Sequence, residues 1–184
     1  MASEFALPRH PAANIMNDTS AVSDKASPRA ATMLSATIRE RLKWTITPEL
    51  YDAIRRLWIN HSKAEDARDL DGLIATLAED CVYEIVSTGQ RWEGHAGARA
   101  FYTSFLGALP DVHFDLTDIV IGPQGVFEVA DMTGTQLGPW AGVAATGKPV
   151  RYPVLIYFPW NPVAKKFAGE KVYYDQHASA ALAK

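Results

Sequence analysis

The run GTQLGPWAGVAATGKPV, Gly134 to Val150, decides how this chain is read. Its second half nearly spells the phosphate-binding pattern G-x-x-x-x-G-K-[ST]. Gly142, Gly147 and Lys148 stand in register, but Pro149 occupies the place of the Ser or Thr. A phosphate loop follows a buried strand and opens a helix. The helix N-terminus and loop amides cradle the phosphate, and the hydroxyl reaches magnesium. Pro149 has no hydroxyl, and the residues after Lys148, PVRYPVLIYF, are β-branched and aromatic with two prolines, a poor helix. The run is therefore expected to be a wide connection between two strands, its glycines supplying unusual dihedrals. Nucleotide binding is not expected of it.

Elements can be placed on both sides of this connection. Residues 1–28 are rich in Ala, Ser, Pro and Asn without a period, which predicts a disordered tail. Residues 29–44 are helix-capable but weakly amphipathic. The expected division is thus a tail over 1–44 and one domain over 45–184. The domain opens with Thr47 as N-cap, Pro48 at the first helical position and Glu49 in the first turn. Leu50, Ile54, Leu57, Trp58 and His61 then share a helical face. A second helix follows Asp69, with Leu70, Leu73, Ile74 and Leu77 inward. CVYEIVS reads as a strand, TGQ as its turn and QRWEG as a short strand. HAGARAFYTSFLGAL is a third helix, ending before Pro110. From Asp111 onward long strands follow one another with turn-sized links, which predicts an α+β domain with an antiparallel meander.

Composition bounds the function. The chain has 184 residues, 48% hydrophobic and 10% aromatic, enough for a sizeable core. A net charge of -3 and a pI of about 5.9 give no reason to expect nucleic acid or an anionic membrane as partner. Cys81 is the single cysteine, so no internal disulfide forms, and a reducing, cytoplasmic location is expected. No apolar run reaches the roughly 18 residues of a membrane span, and no basic-then-apolar signal pattern opens the chain.

The whole run from Gly134 to Val150 resembles the segment G-T-H-x-G-x-x-x-G-x-x-x-T-G-K/R of the SnoaL-like polyketide cyclase (ester cyclase) family, within the nuclear-transport-factor-2-like superfamily. DLDGLIATLAEDCVYE, LPDVHFDL and GEKVYYDQ agree with it, so the resemblance covers about residues 48–178. It implies a cone-shaped fold, a strongly curved mixed or antiparallel sheet wrapped around three helices and enclosing an apolar pocket, usually in a homodimer. It also implies ring closure of a small hydrophobic carbonyl compound by a pocket acid or base, with neither metal nor organic cofactor. Isomerases, lyases, non-catalytic binders of apolar molecules and small subunits of larger oxygenases share the fold, so the fold does not fix the function.

The residues narrow the chemistry. Gln136 stands where the family motif often has His; its amide can hold a carbonyl or enolate oxygen but cannot shuttle a proton near neutral pH. There is no Asp or Glu between Lys148 and Gly169, where several cyclases carry an acid. The last strand supplies acids instead. Alternation sends Lys171, Tyr173 and Asp175 to one face and Glu170, Val172 and Tyr174 to the other, and only a bulge would bring both acids inward. The Tyr-x-Asp pair matches the family's C-terminal motif, which favours Asp175 as the base, with Tyr173 and Gln136 holding the oxygen. Asp175 equally suits the cap of a helix starting near Gln176. Trp140, Trp92 and Tyr152 are candidates to line the mouth of a site for a flat apolar ligand, joined by Tyr83 and by His61 on the inner face of the first helix. The histidine spacing matches no metal motif. Ile119, Val120 and Ile121 leave apolar residues on the outer face of the sheet, the expected contact between two copies.

Overall fold

The computed structural model describes residues 35–175. The expected tail over 1–28 and the expected helix beyond Gln176 lie outside the described residues. Four helices and six strands follow in the order α1 (Ala36–Arg41), α2 (Pro48–Asp66), α3 (Leu70–Ala75), β1 (Leu77–Ile85), β2 (Gln90–Glu93), α4 (Gly94–Ala108), β3 (His113–Gly122), β4 (Gly125–Thr135), β5 (Pro149–Asn161) and β6 (Lys166–Tyr173). α1 precedes the expected boundary at 45. The Gln124 side chain, from the β3–β4 turn, donates to the Arg41 carbonyl at 3.1 Å, so this short helix is tied to the domain.

The helix starts follow local chemistry. Thr47 Oγ1 accepts the Leu50 N–H at 3.2 Å, with Pro48 opening α2. Asp69 Oδ1 accepts the Gly72 N–H at 2.9 Å and starts α3. Each such cap satisfies an amide that the helix itself leaves unpaired, at a typical gain of about 1 kcal/mol.

The strands form one sheet in the order β2-β1-β6-β5-β4-β3. β3 to β6 make the antiparallel meander that their turn-sized links demand. β1 departs from it: it pairs parallel to β6, so the sheet is mixed. That pairing needs a crossover through everything between β1 and β6, a connection that local patterning does not reveal. Alternation is regular along β5, where Tyr152, Val154, Ile156, Phe158 and Trp160 are buried, and along β4, where Val126, Glu128, Ala130 and Met132 are. α2 crosses β3 and β4, and α4 packs on β1 and β2. The core lies between these helices and the inner face of the sheet.

One irregularity sets the direction of the last strand. Between Trp160↔Phe167 and Tyr157↔Lys171, three steps along β5 oppose four along β6. The extra residue is a bulge, with Gly169 at φ 112°. A Cβ there would lie 2.0 Å from the Val82 carbonyl oxygen of the parallel neighbour, so only glycine fits. The bulge precedes Glu170 and turns it inward, directly after Gly169.

Candidate active site

Glu170 is 4% exposed and carries a convergent polar cluster in an otherwise apolar interior. Its Oε1 accepts from the Tyr102 hydroxyl at 2.5 Å and from the Tyr83 hydroxyl at 3.0 Å, and lies 2.9 Å from His61 Nε2. The His61 tautomer follows from its other side. The Thr76 hydroxyl donates to the Leu73 carbonyl at 2.6 Å, so its oxygen must accept from His61 Nδ1 at 2.7 Å. Nδ1 therefore bears a hydrogen. Nε2 lies equally close, at 2.9 Å, to the Tyr102 hydroxyl. Two phenol donors on one oxygen, with the His61 ring beside them, suit a carboxylate. Among the described residues no donor reaches Oε2, and Glu170 lines a cavity.

Sequence folds this cluster from four elements. α2 presents Ile54, Trp58, His61 and Glu65 on one face, with Ile54 and His61 buried. β1 turns Tyr83 inward, α4 contributes Tyr102, and the bulged β6 contributes Glu170. Burial, reinforced by the Glu170 charge, pushes both phenols well above their usual range, so they remain donors.

Glu65 lines the same cavity. Burial pushes its carboxyl well above the usual range, Glu170 and Glu128 push it further, and Arg68 offsets only part of this. The protonated form is thereby favoured. Glu170 and Glu65 thus differ in character: one carboxyl is surrounded by donors, the other is desolvated and faces negative neighbours.

The remaining walls are Phe101, Phe105, Phe114, Met132, Trp140, Tyr152, Val154, Ile156, Val172 and Tyr174. The cavity measures about 30 Å³, and a neighbouring one of the same size lies beyond Trp140, Tyr152 and Tyr174. Sites for drug-sized ligands run from about 300 Å³ upward, so this interior is closed, and a ligand enters only by displacing part of the wall. Trp140 is the exposed-loop contribution to that wall. It packs on Phe101 and Phe105 at 5.4 and 5.0 Å and stacks on Trp92 at 6.5 Å.

The loop that carries Trp140 is held from within. Trp140 and Val143 exchange backbone hydrogen bonds at 2.9 and 2.8 Å around a two-residue turn, with Ala141 and Gly142 at φ 49° and 84°. The Gln136 amide donates to the Val143 and Ala144 carbonyls at 3.4 and 3.1 Å, and its oxygen accepts from Thr146 Oγ1 at 3.2 Å. Lys148 leads into β5 rather than into a helix.

The structure redistributes the expected roles. Gln136 binds the loop and lines the neighbouring cavity rather than the one that Glu170 faces. Tyr173 is 38% exposed and contacts Phe127 on the outer face, Asp175 is exposed, and neither lines the cavity. Alternation after the bulge sends Glu170, Val172 and Tyr174 inward instead. Trp140 and Tyr152 line both cavities, and Trp92 stands behind Trp140. His61 and Tyr83 sit in the buried cluster around Glu170. Glu65, Glu128 and Tyr102 escaped the sequence reading. The missed signal was an acid standing in an apolar register: Glu65 four residues after His61 on α2, and Glu128 between Val126 and Ala130 on β4.

A family model described as SnoaL-like domain matches residues 58–160. Among curated proteins none matches the chain. A protein from Jannaschia sp. CCS1, provisionally named SnoaL-like polyketide cyclase, is 20% identical with a TM-score of 0.65, over 76% of this chain and 96% of its own. One from Xanthomonas campestris pv. campestris, provisionally named polyketide cyclase, is 22% identical with a TM-score of 0.57, over 71% and 97%. One from Kribbella flavida DSM 17836, provisionally named ketosteroid isomerase, is 15% identical with a TM-score of 0.54, over 68% and 80%. These likenesses establish the cone fold of the nuclear-transport-factor-2-like superfamily. No described helix is long and apolar enough to cross a membrane.

Proposed function

The chain belongs to the SnoaL-like domain family, and on that premise we propose that it is an acid–base catalyst of the cyclase, isomerase or lyase type, acting on a small hydrophobic carbonyl compound. The observation that carries this reading is Glu170: a carboxylate with one oxygen held by Tyr83, Tyr102 and His61, facing an apolar cavity that also receives Glu65. Buried carboxylates cost several kcal/mol unless fully compensated. Groups of this kind concentrated in one cavity mark a functional site.

In the proposed reaction a carbonyl compound displaces the Trp140 side of the wall and places its α-carbon against Glu170 Oε2. The α-proton moves to Oε2 while the C–H electron pair becomes the enolate. The Glu65 carboxyl donates to the enolate oxygen. The enolate carbon then takes the proton back from Oε2, which isomerises or exchanges the substrate, or it attacks a second carbonyl of the same molecule, which closes a ring while the resulting alkoxide takes the Oε2 proton and restores the carboxylate. The Tyr83, Tyr102 and His61 contacts on Oε1 hold the carboxylate in one orientation through the cycle.

The test is deuterium exchange next to the carbonyl in a panel of cyclic and polyketide-like ketones. Wild type is expected to exchange at least one of them, Glu170→Gln to lose 100-fold or more, the scale of a general base, and Asp175→Asn to retain activity. Full activity in Glu170→Gln would remove Glu170 as the base. A wild type inert across the panel that still binds an apolar ketone tightly would replace the catalyst with a binding protein.

A further inference from the structure

Glu65 and Glu170 do not exhaust the inward-facing carboxyls. Glu128, 6% exposed, interrupts the apolar inner series of β4 and is absent from the cavity lining. Its Oε2 accepts the Trp58 indole N–H at 2.7 Å. Trp58, His61 and Glu65 follow each other at i, i+3 and i+7, so they lie on one face of α2. The side-chain bond between that face and β4 thus comes from the same helix surface that delivers His61 to Glu170 and Glu65 to the cavity.

We propose that Glu128 is a positioning residue of the proton-transfer site: by holding the Trp58 indole it fixes the rotation of α2, and with it the aim of His61 and Glu65 at the cavity. This rests on the reading of Glu170 and Glu65 as base and acid. A helix turned by a fraction of its pitch would carry both side chains off target together, because their spacing on the face is rigid. Trp58 is only partly buried, so packing alone is a weaker constraint on that rotation than a directed bond to a carboxylate.

Glu128 also acts by charge. The groups facing it are Trp58 and Glu65 from α2 and Glu170 from β6; its β-neighbours Ile119 and Ile156 are apolar, and among the described residues no cation forms an ion pair with it. Burial pushes Glu128 up to about 7, against the pull of the Trp58 bond and with a further push from Glu170. As pH rises through that value Glu128 gains charge, and Glu65 holds its proton more tightly.

The experiment compares full-length wild type, Glu128→Gln and Trp58→Phe by NMR. The readouts are the Trp58 indole N–H resonance, assigned by its loss in Trp58→Phe, and the side-chain carboxyl carbons of Glu65 and Glu128, all followed from pH 5 to 9. In wild type the indole resonance should move with the ionisation of Glu128. In Glu128→Gln, which keeps an acceptor but no charge, that movement should vanish and the Glu65 midpoint should fall, because the Glu128 charge that raises it is gone. In Trp58→Phe the Glu128 midpoint should rise, and the His61 and Glu65 resonances should broaden or shift as α2 loses its anchor. An indole resonance indifferent to pH, or a Glu65 midpoint unchanged by Glu128→Gln, would overturn the proposal. Should Glu128→Gln fail to fold, the Glu128 midpoint in Trp58→Phe decides alone, and no rise overturns it. The assignment of base and acid fails separately: these titrations would proceed as described while no ketone exchanges deuterium in wild type.

Discussion

Carboxyl burial at Glu128 has a consequence for stability whose sign is fixed. The folded-state value of about 7 lies above the ordinary 4.5, so the folded chain binds the proton more tightly than the unfolded chain does. The favourable contribution is present below pH 4.5 and is lost as pH rises through about 7, a loss of up to about 3 kcal/mol for a shift of this size. Glu65 has the same sign. Glu128→Gln should therefore melt higher than wild type at pH 8, with the gap narrowing toward pH 5. Thermal melts across this range check it, and a gap that widens on acidification would contradict the burial of the charge. At this scale the sequence was only half legible. Thr47 and Asp69 are caps by type and position. The acid on β6 was not legible, because choosing between Glu170 and Asp175 needs the place of the bulge at Gly169 and not the alternation alone.

The connection from β4 to β5 acts as one element. Gln136 spends its donors and one acceptor position on Val143, Ala144 and Thr146, while its own N–H and carbonyl pair with Lys148 and Gly147 at 3.0 and 2.9 Å. Removing the side chain strands those partners, at a typical net cost of 0.5–1.5 kcal/mol per bond, about 2 kcal/mol for the set. Gln136→Ala should thus lower the melting temperature and speed hydrogen exchange over residues 140–147, while α2 exchanges as in wild type. Exchange that stays slow over the loop would show that Trp140 alone holds it. A connection, not a phosphate loop, was readable from Pro149 and the strand composition beyond it. That this loop seats a tryptophan against Phe101 and Phe105 was not, since both partners belong to α4, far away in sequence.

At the scale of the whole molecule, the outer face of the sheet carries exposed apolar side chains. Val120 is 63% exposed, and Phe127 and Tyr173 are 37% and 38% exposed. Phe127 meets Tyr157 at 5.9 Å and Tyr173 at 6.5 Å, so the rings form one patch across β4, β5 and β6. Ile121 packs on the core instead, which leaves the patch centred on Phe127 rather than on the Ile119–Ile121 run. We expect a second copy to cover this patch, since contiguous apolar surface of this kind marks an interface. Light scattering should give a dimer mass at micromolar concentration, and Phe127→Glu should return a monomer with the fold intact. A monomer mass for wild type would reject the dimer.

Elements and class were settled by the sequence alone: periodicity fixes which stretches are helix or strand, caps fix two helix starts, and turn-sized links make β3 to β6 a meander. These are local properties, expressed within a few residues of chain. The parallel seat of β1 beside β6, the inward turn of Glu170 and the meeting of His61, Tyr83, Tyr102, Glu65 and Glu170 were decided only by tertiary structure. They depend on contacts between residues up to 109 positions apart, as His61 and Glu170 are. A buried acid is stable only where distant donors converge on it, and no local pattern records which donors those will be.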